Sequence, residues 1–83
     1  MHYDDLHSDF GRRIKLVRIA RDMTQEEMAA LLSYSSSAIS DFEMSKRDPT
    51  TKQVRTFAET LGVPFEWLCG WGPDFSYELE SFP

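Results

Sequence analysis

The side chains best suited to chemistry in this chain are short hydroxyls crowded into one stretch. Ser35, Ser36 and Ser37 are consecutive, and Ser40 and Asp41 follow within about one and a half helical turns. Hydroxyls donate and accept at short reach and a carboxylate accepts, so the set suits polar recognition rather than bond-making. Thr24 and Gln25 lie upstream of it and the adjacent cations Lys46 and Arg47 lie downstream. His2, Asp4, Asp5, His7 and Asp9 are metal-ligating types, but they follow no ligand spacing and read as an acidic tail. Both histidines fall in that segment, so no nucleophile–base–acid trio can be assembled. No glycine-rich phosphate loop is present. These residues predict a binding protein with no catalytic group, no metal site and no cofactor.

The chain sets limits on what could position them. Its 83 residues suffice for one small domain, and 41% apolar with 13% aromatic residues is enough for a core. No apolar run reaches the roughly 18 residues needed to cross a bilayer, and the acidic start lacks the order of a signal peptide. The single cysteine, Cys69, has apolar neighbours and reads as a core thiol in a reducing cytoplasm. The net charge of −5 counts against a polyanionic partner until its distribution is considered. Residues 10–71 hold all nine Lys and Arg against eight acids, and the ends hold the other six acids. Whole-chain charge therefore describes the ends more than the middle.

The middle has helical periodicity and almost no strand-like alternation. A first helix is expected from about Ser8 or Asp9 to Arg21, with Phe10, Ile14, Val17 and Arg21 on one face and Arg12, Arg13 and Lys15 elsewhere. Thr24 with Glu27 is a capping box, and Met23 with Met28 a hydrophobic staple, opening a second helix that buries Met28, Ala29 and Leu32. The serines end it near Leu32. Ser35 caps a third helix running to Phe42 or Glu43, with Ile39 and Phe42 inward. Thr50 with Gln53 opens a fourth, carrying Val54, Phe57, Ala58 and Leu61, and Gly62 stops it. Pro64 takes the first position of a short fifth helix that ends at Gly70 and adds Trp67 and Leu68 to the core, with Val63 before it. The fold class is thus all-α, a five-helix bundle. Beyond it, Phe75, Tyr77 and Leu79 alternate with polar residues as in an extended strand. The organisation expected is an acidic tail over 1–8, a helical domain over 9–71 and an acidic aromatic tail over 72–83.

The second and third helices, joined by so short a turn, form a helix-turn-helix, and its second helix carries short polar side chains that can enter a major groove. The residues go further. FGRRIKLVRIARDMTQEEMAALL, AISDFEMSKRDPT and FAETLGVPFEWLCG, in that order and spacing, resemble the Cro/repressor, or xenobiotic-response-element, helix-turn-helix family. The resemblance runs from Phe10 to Gly70. It implies the fold of the lambda repressor and binding to a double-stranded DNA operator. It also implies roles for individual residues. Gln25, with Thr24 beside it, holds a phosphate. Ser35, Ser36, Ser37, Ser40 and Asp41 face the bases. Lys46 and Arg47 grip the backbone, and Arg18 pairs with Glu43. Two departures stand out. Asp41 replaces the Gln, Arg or Asn common in the family; it can accept from a cytosine amino group but repels phosphates, and the alternative is a carboxylate that stays solvated or pairs with Lys46. Ser33 and Ser45 replace glycines common at two turns, at a cost of about 1 kcal/mol wherever a positive φ is required.

One recognition helix covers about half a turn of DNA, so a homodimer on a palindrome, its reading helices about 34 Å apart, is expected. Phe75, Tyr77 and Leu79 are the candidate dimerisation residues. Three functions are open at this stage: a transcriptional repressor of phage or prophage type, an antitoxin binding a protein partner through its acidic tail, or an interaction module without DNA binding.

Overall fold

The computed structural model describes residues 3–70, with side chains described from residue 10 to residue 70. Five helices follow one another: α1 (Tyr3–Ala20), α2 (Gln25–Leu32), α3 (Ser36–Glu43), α4 (Thr51–Leu61) and α5 (Phe65–Leu68), with no strand among the described residues. Four of the starts and stops follow from local chemistry. Thr24 Oγ1 accepts from the Glu27 N–H at 3.0 Å while Glu27 Oε1 accepts from the Thr24 N–H at 2.8 Å. Thr50 and Gln53 repeat this reciprocal pair at 3.1 and 2.9 Å. Ser35 Oγ accepts from the Ala38 N–H at 3.1 Å. Each bond satisfies a donor that a helix start leaves orphaned. Gly62 ends α4 in the left-handed region at φ 71°.

Three local expectations are corrected. α1 begins at Tyr3, several residues before Ser8, so much of the stretch read as an acidic tail is helical. Arg21 lies past the last residue of α1 and is only half-buried, whereas Arg13 is buried at 3% exposure. Arg13 donates to the Trp67 carbonyl at 3.1 Å and sits 5.1 Å from the centre of the Trp67 ring, tying α1 to α5. Its three-methylene stem lets a cation occupy an apolar stripe when a carbonyl and a ring receive the head. Pro64 is the cap of α5 rather than its first residue. Phe75, Tyr77 and Leu79 lie outside the described residues.

The core contains Phe10, Ile14, Val17, Met28, Ala29, Leu32, Ile39, Phe42, Val54, Phe57, Ala58, Leu61, Val63, Trp67, Leu68 and Cys69 in one cluster. Its centre is aromatic: Phe42 lies 5.6 Å from Phe10, 5.5 Å from Phe57 and 5.9 Å from Tyr34, ring centre to ring centre, at steep angles. Edge-to-face pairs of this kind add attraction beyond area burial. Phe42 is thus the residue through which α3 is held to α1 and α4. Gly11 permits that approach. A Cβ there would stand 2.2 Å from the Phe42 carbonyl oxygen, so only glycine lets α1 pass so close to the end of α3.

Candidate nucleic-acid interface

α3 is anchored from one side and open on the other. Ala38, Ile39 and Phe42 are buried at spacings of one, three and four residues, which places them on a single stripe against the bundle. Ser35 and Ser37 are exposed, and Ser36, Ser40 and Asp41 are half-buried. Of these, the Ser35 hydroxyl is engaged in capping its own helix, and the Ser40 hydroxyl donates to Met44 Sδ at 3.6 Å. Ser36, Ser37 and the Asp41 carboxylate have no hydrogen bond or ion pair among the described residues. Asp41 does not pair with Lys46 through its side chain; the Lys46 N–H instead donates to the Asp41 carbonyl at 2.8 Å, closing the turn after α3.

The N-terminus of α2 lies beside this face. Arg18, Thr24, Gln25, Glu26 and Ser36 line one open groove of about 470 Å³, which brings the start of α2 and the start of α3 to a common concavity. The first residues of two helices border one hollow, where positive dipole ends and the Arg18 guanidinium favour an anion and the Glu26 carboxylate opposes one. The Lys46 and Arg47 side chains are exposed in the loop after α3. Arg47 lies with its guanidinium 5.1 Å from the centre of the Phe42 ring, so its head is held against the back of α3 rather than extended.

One charged cluster fixes the spacing between these parts. Arg18 Nε donates to Glu43 Oε2 at 2.7 Å and Nη2 to Oε1 at 3.1 Å, a two-pronged pair joining the end of α1 to the last residue of α3. The Glu43 side chain is only 3% exposed. The hydrogen bond to Glu43 holds the Arg18 guanidinium above the ordinary arginine range, and the carboxylate's charge adds to the shift while burial partly opposes it. Arg18 is therefore charged at any working pH. Two further bonds were not foreseen from sequence. Arg18 Nη1 donates to the Met23 carbonyl at 3.0 Å, and Gln25 Nε2 donates to Glu43 Oε1 at 3.1 Å. Gln25 thus spends part of its amide on α3. Neither contact leaves a periodic signal, because each joins residues brought together only by tertiary packing.

Backbone strain accompanies the turns. Ser33, which ends α2, has φ 64°, and Ser45, after α3, has φ 58°, so both positions where serine was read as replacing glycine do adopt the left-handed region. Asp22 between α1 and α2 is a third, at 56°, and was missed. Asp tolerates that region better than most residues, and a position two residues past the end of a helix is a usual place for it.

The helix-turn-helix family matches residues 14–68, well over half of the chain. Over 62 residues the chain is 36% identical to the HTH-type transcriptional regulator RghRB of Bacillus subtilis (strain 168), an alignment covering 74% of this chain and 45% of that protein. It is 29% identical over 59 residues to the SPbeta prophage-derived HTH-type transcriptional regulator YonR of the same organism, covering 71% of this chain and 55% of that one. The chain therefore spans about half the length of the curated relatives it matches. No solved structure matches. With the capped α2, the outward serines of α3 and the Arg18–Glu43 brace in place, the matched span takes in the whole helix-turn-helix, α4, α5 and the C-terminal end of α1, and the chain belongs to the Cro/repressor family of helix-turn-helix proteins.

Proposed function

We propose that this chain binds double-stranded DNA as a sequence-specific regulator, with α3 as the helix that enters the major groove. The observation that carries the proposal is the two-sidedness of α3: Ala38, Ile39 and Phe42 are buried, and Ser36, Ser37 and the Asp41 carboxylate on the other side have no hydrogen bond or ion pair among the described residues. In this reading Ser36 and Ser37 touch base edges, with Ser35 and Ser40 at the margins, and Asp41 accepts from a cytosine amino group. Thr24 and Gln25 hold one phosphate at the start of α2, and Lys46 and Arg47 supply charge along the backbone. Serines offer little two-pronged readout, so DNA shape and a second half-site contribute much of the selectivity. The regulator acts as a homodimer on a palindromic operator and represses by occluding a promoter.

Selection of bound duplexes from a random pool at about 0.1 M salt tests this. A defined sequence should emerge, with log affinity falling steeply as log salt rises. Gln25→Ala should weaken all duplexes alike, and Ser36→Ala should change the preferred sequence. If neither substitution alters binding, the interface lies elsewhere on the molecule.

A further inference from the structure

We infer that Glu43 is a positioning residue for DNA binding: it acts through Gln25, holding that side chain ready for a phosphate before any DNA arrives. The inference rests on the DNA reading above and names a residue that does not itself face the duplex.

The geometry is specific. Glu43 Oε1 accepts from both Arg18 Nη2 and Gln25 Nε2, at 3.1 Å each, while Oε2 accepts from Arg18 Nε at 2.7 Å. One buried carboxylate at the end of α3 therefore orients an amide at the start of α2. Arg18 also holds the Met23 carbonyl, two residues before Gln25, so backbone and side chain are braced from the same guanidinium. A primary amide has two N–H donors and an acceptor oxygen. With one donor given to Glu43, the other remains for a phosphate oxygen, and Gln25 lines the open groove that such an oxygen would enter. A glutamine free in solution samples many rotamers and loses that freedom on binding; one already tethered has lost it on folding. A carboxylate so near a phosphate would ordinarily repel it. Here the two-pronged Arg18 offsets that charge, which is why Glu43 can orient the amide without driving the ligand off.

The test is a double-mutant cycle on a duplex recovered by selection, using the full chain, Gln25→Ala, Glu43→Gln and the double variant. Gln25→Ala should weaken binding about tenfold, the scale of a hydrogen bond to a charged group. Glu43→Gln should weaken the wild-type background by at least about threefold more than it weakens the Gln25→Ala background, any loss common to both reflecting the Arg18–Glu43 brace itself. Equal losses in both backgrounds overturn the inference, since a merely structural Glu43 acts regardless of residue 25. Failure of the unmodified chain to bind any duplex overturns the DNA reading, and this inference with it. A measurement on the unmodified protein keeps the inference testable if Glu43→Gln does not fold. Gln25 and Gln53 are the only side-chain primary amides in the sequence, so their NH2 signals form two pairs in a nitrogen-correlated NMR spectrum. The Gln25 pair should be as motionally restricted as that of Gln53, which donates to the Tyr34 hydroxyl at 3.2 Å. A freely rotating Gln25 amide in the free protein would contradict preorganisation outright.

Discussion

Ser33 and Ser45 show how a single residue can hold stability in reserve. Both have positive φ, where a Cβ crowds the following carbonyl. Ser33→Gly and Ser45→Gly should each stabilise the fold by up to about 1 kcal/mol, less the extra unfolded-state entropy of glycine. For a domain this size, thermal melting should rise by about 4–8 °C per kcal/mol gained. A lower melting temperature in both would mean that the serines are not strained. Gly11 makes the opposite case. Gly11→Ala would put a Cβ onto the Phe42 carbonyl, and the resulting shift of α1 against α3 should cost about 1–3 kcal/mol, seen as a lower melting temperature. The serine positions were legible because the family pattern has glycine there. Gly11 was not, because its constraint comes from a helix 31 residues away in the chain and leaves no local mark.

Among the elements, starts with a complete local signal were read correctly, and the starts of α1 and α5, which lack one, were not. The capping boxes of α2 and α4 each lie within four consecutive residues, and the structure makes both reciprocal bonds. α1 had two plausible starts, and the acids upstream of Ser8 looked like a tail although acids also suit a first helical turn. Arg13 was misplaced for a related reason: Phe10, Arg13, Ile14 and Val17 follow the i, i+3, i+4, i+7 stripe, but a cation on that stripe was assigned outward. The caps give a contrast that separates stability from binding. Thr24→Ala and Thr50→Ala should each lower stability by about 1 kcal/mol in denaturant titration. Thr24 lines the groove beside Gln25 and Thr50 does not, so only Thr24→Ala should also weaken duplex binding once both variants are compared fully folded. Equal binding by the two would remove the start of α2 from the interface.

For the molecule as a whole, the sequence made the all-helical bundle and its core legible because the core positions other than Val63 and Cys69 lie on helical stripes. It did not reveal the Gln25–Glu43–Arg18 cluster, since cross-helix polar contacts follow no period. Cys69 belongs to this scale, buried at 7% exposure where α5 ends. Burial pushes its thiol pKa up, Glu66 adds to the rise and Arg55 partly opposes it. The folded chain therefore holds the thiol proton more tightly than the unfolded chain. That contribution to stability is fully present below the ordinary thiol pKa and is lost as pH rises toward the folded value. Near pH 8, a thiol reagent should label the native protein far more slowly than the protein in about 8 M urea, where burial no longer protects the thiol. Comparable rates would show that the α5 end opens readily.

Mapping the DNA-bound surface tests the central claim most directly, because it asks which side of α3 meets the duplex. Amide shifts should be followed by NMR while a selected duplex is added to the isotopically labelled chain at about 0.1 M salt. Changes should concentrate at residues 24–26, 35–41 and 46–47, with little response around the exposed Ile19 and Leu31. Changes centred on Ile19 and Leu31, with Ser36, Ser37 and Asp41 silent, would place the partner on another face and contradict the assignment of α3 as the reading helix.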